Sequence, residues 1–254
     1  MACVIAIANQ KGGVGKTTTA VNLGASLAEL GKQTLLVDLD PQANATSALG
    51  FDKGCIERSV YEALIGQVNL ADVIQSTRWS GLSLAPSTIR LAGAEIEMVG
   101  LMAREQRLRR VLEPIRMEHD IILVDCSPSL GLLTVNALTA ADGILIPIQC
   151  EYLALEALGQ LTSTLELIRD NLNPRLHLVG IVMTMFDART NLSQQVVEQV
   201  RKHFPDRVFA AIVPRSVRLS EAPSYGQPIT AYDSSSRGAS AYRKLAAELI
   251  PRLS

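Results

Sequence analysis

A glycine-rich segment near the start of the chain carries two lysines. The segment ANQKGGVGKTT runs from Ala8 to Thr18, with Lys11 before its glycines and Lys16 after them. It follows the apolar run VIAIA and precedes a helical pattern, which is the strand–loop–helix context of a phosphate-binding loop. Glycines let backbone N–H groups approach phosphate oxygens, and the N-terminus of the next helix adds partial positive charge. The segment therefore predicts a site for nucleotide phosphates.

The residue types of this loop predict separate roles. Lys16 is placed to bridge terminal phosphates, and the hydroxyl of Thr17 is a ligand suited to Mg²⁺. We expect nucleotide contacts from every residue of Gly12, Gly13, Val14, Gly15, Lys16, Thr17 and Thr18. The strict pattern G-x-x-x-x-G-K-[ST] is not met, because Gln10 stands where its first glycine belongs. The loop thus has one lysine more and one glycine fewer than the standard pattern.

Acidic residues close two of the apolar runs. Asp38 and Asp40 end the run TLLVDLD, and Pro41 stops the strand and directs the chain into a loop. Asp125 ends IILVD, an arrangement in which a carboxylate holds Mg²⁺ through water. Thr17 and Asp125 are therefore the predicted metal residues. Asp38 has two alternatives, a supporting contact to Mg²⁺-bound water or a purely structural role.

Six short runs rich in Val, Ile and Leu predict strands that are covered on both faces. They begin at Val4, Thr34, Ile121, Gly143, Leu178 and Val208. Helical patterns alternate with them over residues 17–30, about 94–112, 132–140, 153–171 and 193–204. This alternation indicates an α/β fold with a doubly wound, mainly parallel sheet flanked by helices. In such folds, binding residues collect at the carboxyl ends of the strands.

Composition narrows the class of protein. The chain has 254 residues, 48% of them hydrophobic, which suits a single domain over residues 1–254. The formal net charge of -1 does not indicate a polyanionic partner. A nearly neutral chain can nevertheless carry a basic patch on one face. The four cysteines form no C-x-x-C pair, so we expect small buried hydrophobes. Without a signal-peptide pattern or an apolar run of about 20 residues, the chain is predicted to be soluble and cytoplasmic, with no stable membrane anchor.

The glycine-rich loop and five further motifs along the chain resemble those of known ATPase families. The loop resembles that of the deviant Walker A ATPases, which reads K-G-G-x-G-K-[ST], and the whole chain resembles the ParA/Soj chromosome- and plasmid-partition ATPases. The motifs are NQKGGVGKTT (9–18), LLVDLDPQANAT (35–46), IILVDCSPS (121–129), QCEYLALE (149–156), MFDARTNL (185–192) and PRSVRLSEAPSYGQPI (214–229). The chain departs from the family's D-x-P-P-S at Ser127, and from its Asn after Pro-Arg at Ser216.

The resemblance implies an ATP-hydrolysing switch with ATP and Mg²⁺ as cofactors. Lys11 then reaches across a two-fold axis to the phosphates held by a partner chain, so that two ATP molecules lie between two subunits of a homodimer. Lys11, Lys16 and Asp40 are the implied catalytic residues, and Asp40 orients or activates the attacking water. Glu151 has two alternatives, a contact with the partner's nucleotide or structural packing. The adenine is expected to lie against Pro214, Arg215 and Ser216.

The same resemblance implies two macromolecular partners. Partition ATPases bind double-stranded DNA without sequence preference as ATP dimers, and contacts from basic side chains to phosphates suffice for this. The candidate DNA-binding residues are Arg189, Arg215 and Arg218. A centromere-binding protein of ParB type is expected to stimulate hydrolysis, and the protein is expected to be nucleoid-associated. Because the chain starts directly at its first strand, no N-terminal DNA-reading extension is expected.

Two related activities are alternatives. A membrane-associated division-site positioning ATPase of the same class requires a terminal amphipathic basic helix. Residues 241–251 can form a short helix of this kind, although we expect it to dock on the domain core. An electron donor similar to the nitrogenase iron protein requires paired cysteines at an interface, and neither Cys126 nor Cys150 offers that pairing.

Overall fold

An eight-stranded β-sheet forms the centre of the computed structural model, which describes residues 1–152 and 154–253. The strands are β1 (Cys3–Ile7), β2 (Thr34–Leu39), β3 (Gln75–Ser76), β4 (Leu82–Ala85), β5 (Ile121–Cys126), β6 (Gly143–Gln149), β7 (His177–Phe186) and β8 (Val208–Pro214). Their order is β3-β4-β2-β5-β1-β6-β7-β8, and every neighbouring pair is parallel except β3 and β4. The predicted α/β fold with a mainly parallel, doubly wound sheet is confirmed.

Eleven α-helices in the described part of the chain cover the two faces of this sheet. They are α1 (Lys16–Glu29), α2 (Asn44–Ala48), α3 (Val60–Ile65), α4 (Leu91–Glu97), α5 (Arg107–Leu112), α6 (Leu132–Ala140), α7 (Ala154–Asn171), α8 (Asn191–His203), α9 (Val217–Glu221), α10 (Ile229–Tyr232) and α11 (Arg237–Leu249). Residues of α3 to α8 pack in the hydrophobic core on one face, and residues of α1, α2 and α9 to α11 pack in the core on the other.

Successive residues of the central strands alternate between these two cores. In β1, Val4 and Ala6 belong to the core beneath α3 to α8, whereas Ile5 and Ile7 belong to the opposite one. Both faces of the strand are therefore removed from water. This explains why the strand sequences are continuously apolar rather than alternately apolar and polar.

The helix predicted over about residues 94–112 is wrong. The chain forms α4, two short 3₁₀ turns and then α5, and Ala103 between the turns has a φ of 50°, which a right-handed helix excludes. The interruption lets Asn136 of α6 bond to backbone groups, its Nδ2 donating to the carbonyl of Arg104 at 2.9 Å and its Oδ1 accepting from the N–H of Leu108 at 3.0 Å. Tertiary contacts with α6 thus override the local helical pattern.

The remaining predicted elements are found within a few residues of their expected bounds. The helix predicted over residues 153–171 corresponds to α7, and its expected first residue, Leu153, lies outside the described residues. The strands β3 and β4 were not predicted. They have two and four residues, and Ser83 interrupts the apolar pattern of β4. Strands this short fall below the length at which an apolar run is distinctive.

The expectation that all four cysteines are buried is wrong for two of them. Cys55 is exposed and Cys3 is half-buried, whereas Cys126 and Cys150 are buried. Burial raises the pKa of the Cys150 thiol to about 12 and raises the pKa of the Cys126 thiol further. These two interior thiols are therefore protonated at neutral pH and pack as small apolar groups.

The C-terminal helix α11 packs against α1 and β8. Its inner side chains Tyr242, Leu245 and Leu249 are at most 1% exposed. The hydroxyl of Tyr242 forms a hydrogen bond of 3.3 Å with the hydroxyl of Thr19 in α1. The predicted docking of this segment on the core is confirmed. Within residues 1–152 and 154–253, no helix has the length and apolar character needed to cross a bilayer.

Truncation of the inner face of α11 should destabilise the whole domain. Leu245→Ala removes a fully buried side chain and leaves a cavity, so we expect the free energy of unfolding to fall by about 2–5 kcal/mol. Lys244→Ala on the exposed face is the matched control and should stay within about 0.5 kcal/mol of the wild type. Urea unfolding of both variants measures the difference. Equal stability of the two would show that α11 does not contribute to the core.

Candidate functional site

The predicted phosphate-binding loop connects β1 to α1 at the carboxyl edge of the sheet. Gly13 and Gly15 have φ values of 74° and 89°, in the left-handed region that glycine tolerates. At Gly12 and Gly13, no atom of the described residues other than the glycine and its two chain neighbours lies within 4 Å of the position that a Cβ would take. The loop therefore leaves open space beside its backbone, and phosphate oxygens can approach its N–H groups there.

Side chains on neighbouring segments hold this loop in place. The Nδ2 of Asn9 donates to the carbonyl of Pro147 in β6 at 2.8 Å, and its Oδ1 accepts from the N–H of Lys11 at 3.0 Å. The hydroxyl of Thr184 in β7 donates to the carbonyl of Val14 at 2.8 Å. The start and middle of the loop are thus tied to two different strands. This restraint reduces the conformational freedom that the loop would lose on binding a ligand.

The two lysines of the loop have different surroundings. Lys16 is only 7% exposed, and its Nζ donates to the carbonyl of Lys11 at 3.1 Å. Burial lowers the pKa of Lys16, while the negative charge of Asp125 acts in the opposite direction. Lys11 instead lies near the surface, where its Nζ is 2.7 Å from Oε2 of Glu151. One ammonium group thus faces the interior of the site, and the other lies at its rim.

Two aspartates face each other on the adjacent strands β2 and β5. Asp38 and Asp125 are aligned in the strand register, and both are fully buried. The Oδ2 of Asp38 accepts hydrogen bonds from the N–H and the hydroxyl of Thr46, at 2.8 and 2.7 Å. Burial raises the pKa of Asp38 to about 6, although these bonds oppose the shift. Asp38 is therefore a structural acceptor for α2, which favours the structural alternative for this residue.

Asp125 lacks such partners. Neither oxygen of its carboxylate has a hydrogen-bond partner among the described residues. Burial raises the pKa of Asp125 well above its ordinary value, and the nearby charge of Asp38 raises it further, whereas the hydroxyl of Thr17 acts against the shift. A buried carboxylate of this kind is costly unless a cation neutralises it. Carboxylate and hydroxyl oxygens are ligands that Mg²⁺ prefers, so Asp125 and Thr17 fit the metal predicted from the sequence.

Asp40 is held where β2 leaves the sheet. It is 6% exposed, and its Oδ1 accepts from the N–H of Gln42 at 2.9 Å. Its carbonyl accepts from the hydroxyl of Ser87, after β4, at 2.8 Å. The charge of Asp40 acts on the pKa of Lys16, which places the two side chains in the same electrostatic environment. The predicted catalytic carboxylate therefore lies beside the phosphate-binding loop.

A pocket of about 450 Å³ opens next to the loop. It brings together Gly15 and Thr18 with Pro214, Arg215 and Ser216, although these two groups are almost 200 residues apart. The structure therefore places the predicted adenine-contacting residues beside the phosphate-binding residues. A flat heterocyclic base attached to a phosphate chain is a ligand of suitable extent for such a pocket.

The same pocket contains residues that were not predicted. Thr184 and Met185 at the carboxyl end of β7 line it, together with Leu219 and Pro223. Met185 has a φ of 53°, a conformation that is uncommon for residues other than glycine and is concentrated at functional sites. The sequence contained a signal for Thr184 and Met185, because β7 was predicted and binding residues collect at the carboxyl ends of parallel strands.

The predicted DNA-binding arginines lie in one cleft of about 750 Å³. The cleft is lined by the four arginines Arg189, Arg215, Arg218 and Arg237. Arg189 pairs with Asp187 at 2.6 Å, and Arg218 pairs with Glu221 at 3.1 Å. The structure thus brings together the three arginines predicted from separate motifs. It also shows that two of them have carboxylate neighbours, which reduces the local excess of positive charge.

Known proteins resemble this chain over most of its length. A family model described as an AAA domain matches residues 2–178. The sporulation initiation inhibitor protein Soj of Bacillus subtilis is 55% identical over 249 residues, which are 98% of each chain. The chromosome partitioning protein ParA of Myxococcus xanthus is 53% identical over 249 residues, which are 98% of this chain and 88% of that protein.

A solved structure shares the fold as well. It is a Mycobacterium smegmatis protein described as cobyrinic acid a,c-diamide synthase, with a bound ATP analogue and magnesium. Its TM-score is 0.87 at 39% identity, with 98% of this chain and 95% of that chain covered. Its description names an activity different from that of the two relatives above. Because those relatives are more similar in sequence, they determine the family.

Neutralising the unpartnered carboxylate should stabilise the protein in the absence of nucleotide. At about pH 8, we expect Asp125→Asn to raise the free energy of unfolding by roughly 1 kcal/mol or more, because it removes a buried charge. The pKa of Asp125 is raised in the folded state, so the cost exists above the ordinary carboxyl range and disappears as the pH falls to about 4. The two proteins should therefore converge in stability at low pH.

Urea unfolding at about pH 8 and about pH 4.5 measures this difference. Asp38→Asn is the matched control, because the carboxylate of Asp38 accepts hydrogen bonds from Thr46 that an amide only partly replaces. Burial also raises the pKa of Asp38, so this variant loses a charge cost as well, but the weakened bonds to Thr46 should leave it less stable than Asp125→Asn. An Asp125→Asn variant that is no more stable than the wild type at the higher pH would contradict the expected cost of this carboxylate.

Proposed function

The chain belongs to the ParA/Soj family of partitioning ATPases, and on that premise we propose that it is an ATP-driven switch for DNA partitioning. The observation that carries this proposal is the buried carboxylate of Asp125 without a partner, beside the loop that holds Lys16. Such a carboxylate requires a cation, and Mg²⁺ accompanies a nucleotide triphosphate in sites of this type. The loop with its two lysines supplies the remaining positive charge.

ATP is the ligand of the loop and of the neighbouring pocket. The phosphates lie along residues 11–18, and the base lies against residues 214–216. Thr17 and Asp125 hold Mg²⁺, which neutralises charge on the phosphate oxygens. The M. smegmatis structure with its bound ATP analogue and magnesium, at 39% identity, supports this assignment.

Hydrolysis depends on residues of this chain around the terminal phosphate. Lys16 stabilises the negative charge that develops on the phosphoryl oxygens. The carboxylate of Asp40 orients the attacking water, and its hydrogen bond from the N–H of Gln42 fixes its direction. Both side chains are largely buried, and their charges interact more strongly there than they would in water.

Lys11 completes the site of a second subunit. Its ion pair with Glu151 joins side chains that are 40% and 47% exposed, and an ion pair of that exposure contributes only about 0–1 kcal/mol. A triphosphate carries more negative charge than one carboxylate. Lys11 therefore exchanges Glu151 for the phosphates held by a partner chain when two ATP-bound subunits meet, and the homodimer forms.

The homodimer binds double-stranded DNA through its arginine clefts. Arg189, Arg215 and Arg218 contact phosphates without reading sequence, and dimerisation doubles each contact. A ParB-type centromere-binding protein stimulates hydrolysis and thereby releases the DNA. The protein is then cytoplasmic and nucleoid-associated. The alternative of a membrane-associated division-site ATPase has no comparable support, since the apolar face of α11 packs on the domain.

DNA binding should depend on the nucleotide state. We expect the wild type to retard double-stranded DNA with ATP and not with ADP or without nucleotide. Asp40→Ala should bind at least as well with ATP, because loss of hydrolysis removes the step that resets the dimer. Gel shifts at low and high salt measure this, since phosphate contacts weaken with salt. Absence of binding in every state at low salt would exclude DNA, and liposome sedimentation would then test the membrane-associated alternative.

Lys11→Ala should separate nucleotide binding from dimerisation. We expect the variant to retain binding of a fluorescent ATP analogue, because Lys16 and the loop backbone remain. It should lose ATP-dependent dimerisation, because the positive charge that crosses to the partner is missing. Light scattering after gel filtration measures the mass with ATP and Mg²⁺. Lys244→Ala, on the exposed face of α11, is the control, and a Lys11→Ala protein that dimerises like this control would refute the role of Lys11.

A further inference from the structure

Four residues form a closed ring of hydrogen bonds at the turn that follows β2. The backbone N–H of Asp40 donates to Oδ1 of Asp38 at 3.3 Å, and Oδ2 of Asp38 accepts from the hydroxyl of Thr46 at 2.7 Å. That hydroxyl oxygen accepts from the N–H of Ser87 at 2.9 Å, and the hydroxyl of Ser87 donates to the carbonyl of Asp40 at 2.8 Å. The ring thus returns to Asp40, and we call it the Asp40 ring.

The Asp40 ring lies away from water. Asp38, Thr46 and Ser87 are each 0% exposed, and Asp40 is 6% exposed. Hydrogen bonds are electrostatically stronger in such an interior, and removal of one partner leaves a buried polar group unsatisfied. Water cannot replace a lost member of the ring without opening the core. The ring therefore has one favourable arrangement.

The ring restrains the backbone of Asp40 on both sides. Its N–H is bonded within β2, and its carbonyl is bonded to the segment that follows β4. The side chain leaves from this fixed backbone, and its Oδ1 accepts a further bond from the N–H of Gln42. The carboxylate of Asp40 is therefore held in position relative to the phosphate-binding loop.

The turn itself requires such restraint. Ala43 has a φ of 52°, in the left-handed region that a side chain disfavours. A strained conformation of this kind persists only where the surrounding structure fixes it. Helix α2 begins directly after Ala43, and Thr46 within it gives both its N–H and its hydroxyl to Asp38. The bonds of Thr46 therefore hold the strained turn closed.

We infer that Thr46 and Ser87 are positioning residues for hydrolysis, which hold Asp40 where its carboxylate orients the attacking water. The inference rests on the proposed function, which gives Asp40 that role. A displacement of about 1 Å in a catalytic group can lower a rate by roughly 100-fold. Neither Thr46 nor Ser87 lines the pocket beside the phosphate-binding loop. Their hydroxyls should therefore affect the rate of hydrolysis and leave the affinity for ATP unchanged.

A pair of substitutions at Thr46 isolates the hydroxyl. Thr46→Val keeps the shape of the side chain and removes the hydroxyl, whereas Thr46→Ser keeps the hydroxyl. We expect Thr46→Val to lower kcat by roughly tenfold or more while KM stays within about twofold, because ATP is bound but its attacking water is misplaced. Thr46→Ser should restore most of the rate. Phosphate release over a range of ATP concentrations, with Mg²⁺ present, measures both constants.

Thr139→Val is the matched control. Thr139 is 1% exposed in α6, and its hydroxyl has no hydrogen-bond partner among the residues that the structure describes. The control thus removes a buried threonine hydroxyl that belongs to no network, and it should hydrolyse ATP like the wild type. Circular dichroism and binding of a fluorescent ATP analogue verify that each variant is folded and binds nucleotide.

Ser87→Ala opens the ring at a different bond. It should also lower kcat with little change in KM, and it decides the question if Thr46→Val does not fold. With ATP, both variants should retain DNA at least as long as the wild type does, as expected for Asp40→Ala. A purely structural role would instead weaken ATP binding and DNA binding together, because both depend on the folded domain.

The outcomes separate this inference from the proposed function. If the wild type hydrolyses ATP and a folded Thr46→Val or Ser87→Ala variant has the same kcat, the inference is overturned and the proposed function stands. If a variant changes KM and not kcat, the residue acts in binding, and its positioning role is overturned. If the wild type itself does not hydrolyse ATP, both the inference and the proposed function are wrong.

Discussion

The carboxylate of Asp125 lies in the middle of the sheet with no hydrogen-bond donor of its own. A charge in that position opposes folding, and the sheet contains it only because β5 is flanked by β1 and β2 and covered on both faces. The surrounding residues reduce this unfavourable free energy only in part. Lys16 supplies positive charge, and Thr17 offers a hydroxyl, but neither fully compensates the carboxylate. A site that is unfavourable when empty gains the most when a cation and a nucleotide enter it.

Asp38 shows how hydrogen bonds reduce the same cost at the neighbouring buried carboxylate. It is aligned with Asp125 and is equally buried, yet its carboxylate accepts hydrogen bonds from both donors of Thr46. These bonds anchor α2 beneath the turn that carries Asp40. One aspartate thus positions the predicted catalytic loop, and the other remains free for a ligand. Two similar residues in neighbouring strands have different roles because their neighbours differ.

In the proposed mechanism, the order of the central strands connects ATP hydrolysis to assembly of the homodimer. Because β6, β1 and β5 are adjacent, the loops that follow them leave the sheet together, and Lys11 lies in the middle one. A lysine in the middle of this row can serve a partner subunit only if its neighbours meet that partner as well. The weak, half-exposed ion pair with Glu151 keeps Lys11 ordered without holding it strongly. Nucleotide binding and dimerisation are therefore expected to be coupled at one edge of the sheet.

The local pattern alone was sufficient to predict the glycine-rich loop between β1 and α1, the acidic strand ends and the parallel sheet. Each of these depends on short-range rules, since glycines permit left-handed φ values and continuous apolar runs indicate strands buried on both faces. The same rules failed over residues 94–112, where Asn136 bonds to the backbone and interrupts the helical pattern. The spacing of apolar residues within a segment cannot predict a hydrogen bond from a distant part of the chain.

The tertiary structure alone decided which of these groups have partners. That Asp125 lacks a donor, that Lys11 meets Glu151 and that three arginines share one cleft all depend on segments far apart in the chain. Strand order and burial bring those segments together, and neither quantity is encoded in any single stretch of residues. The sequence by itself therefore determined which chemical groups the site contains. Folding determined their charge environment and their exposure, because desolvation and pairing are properties of the packed chain.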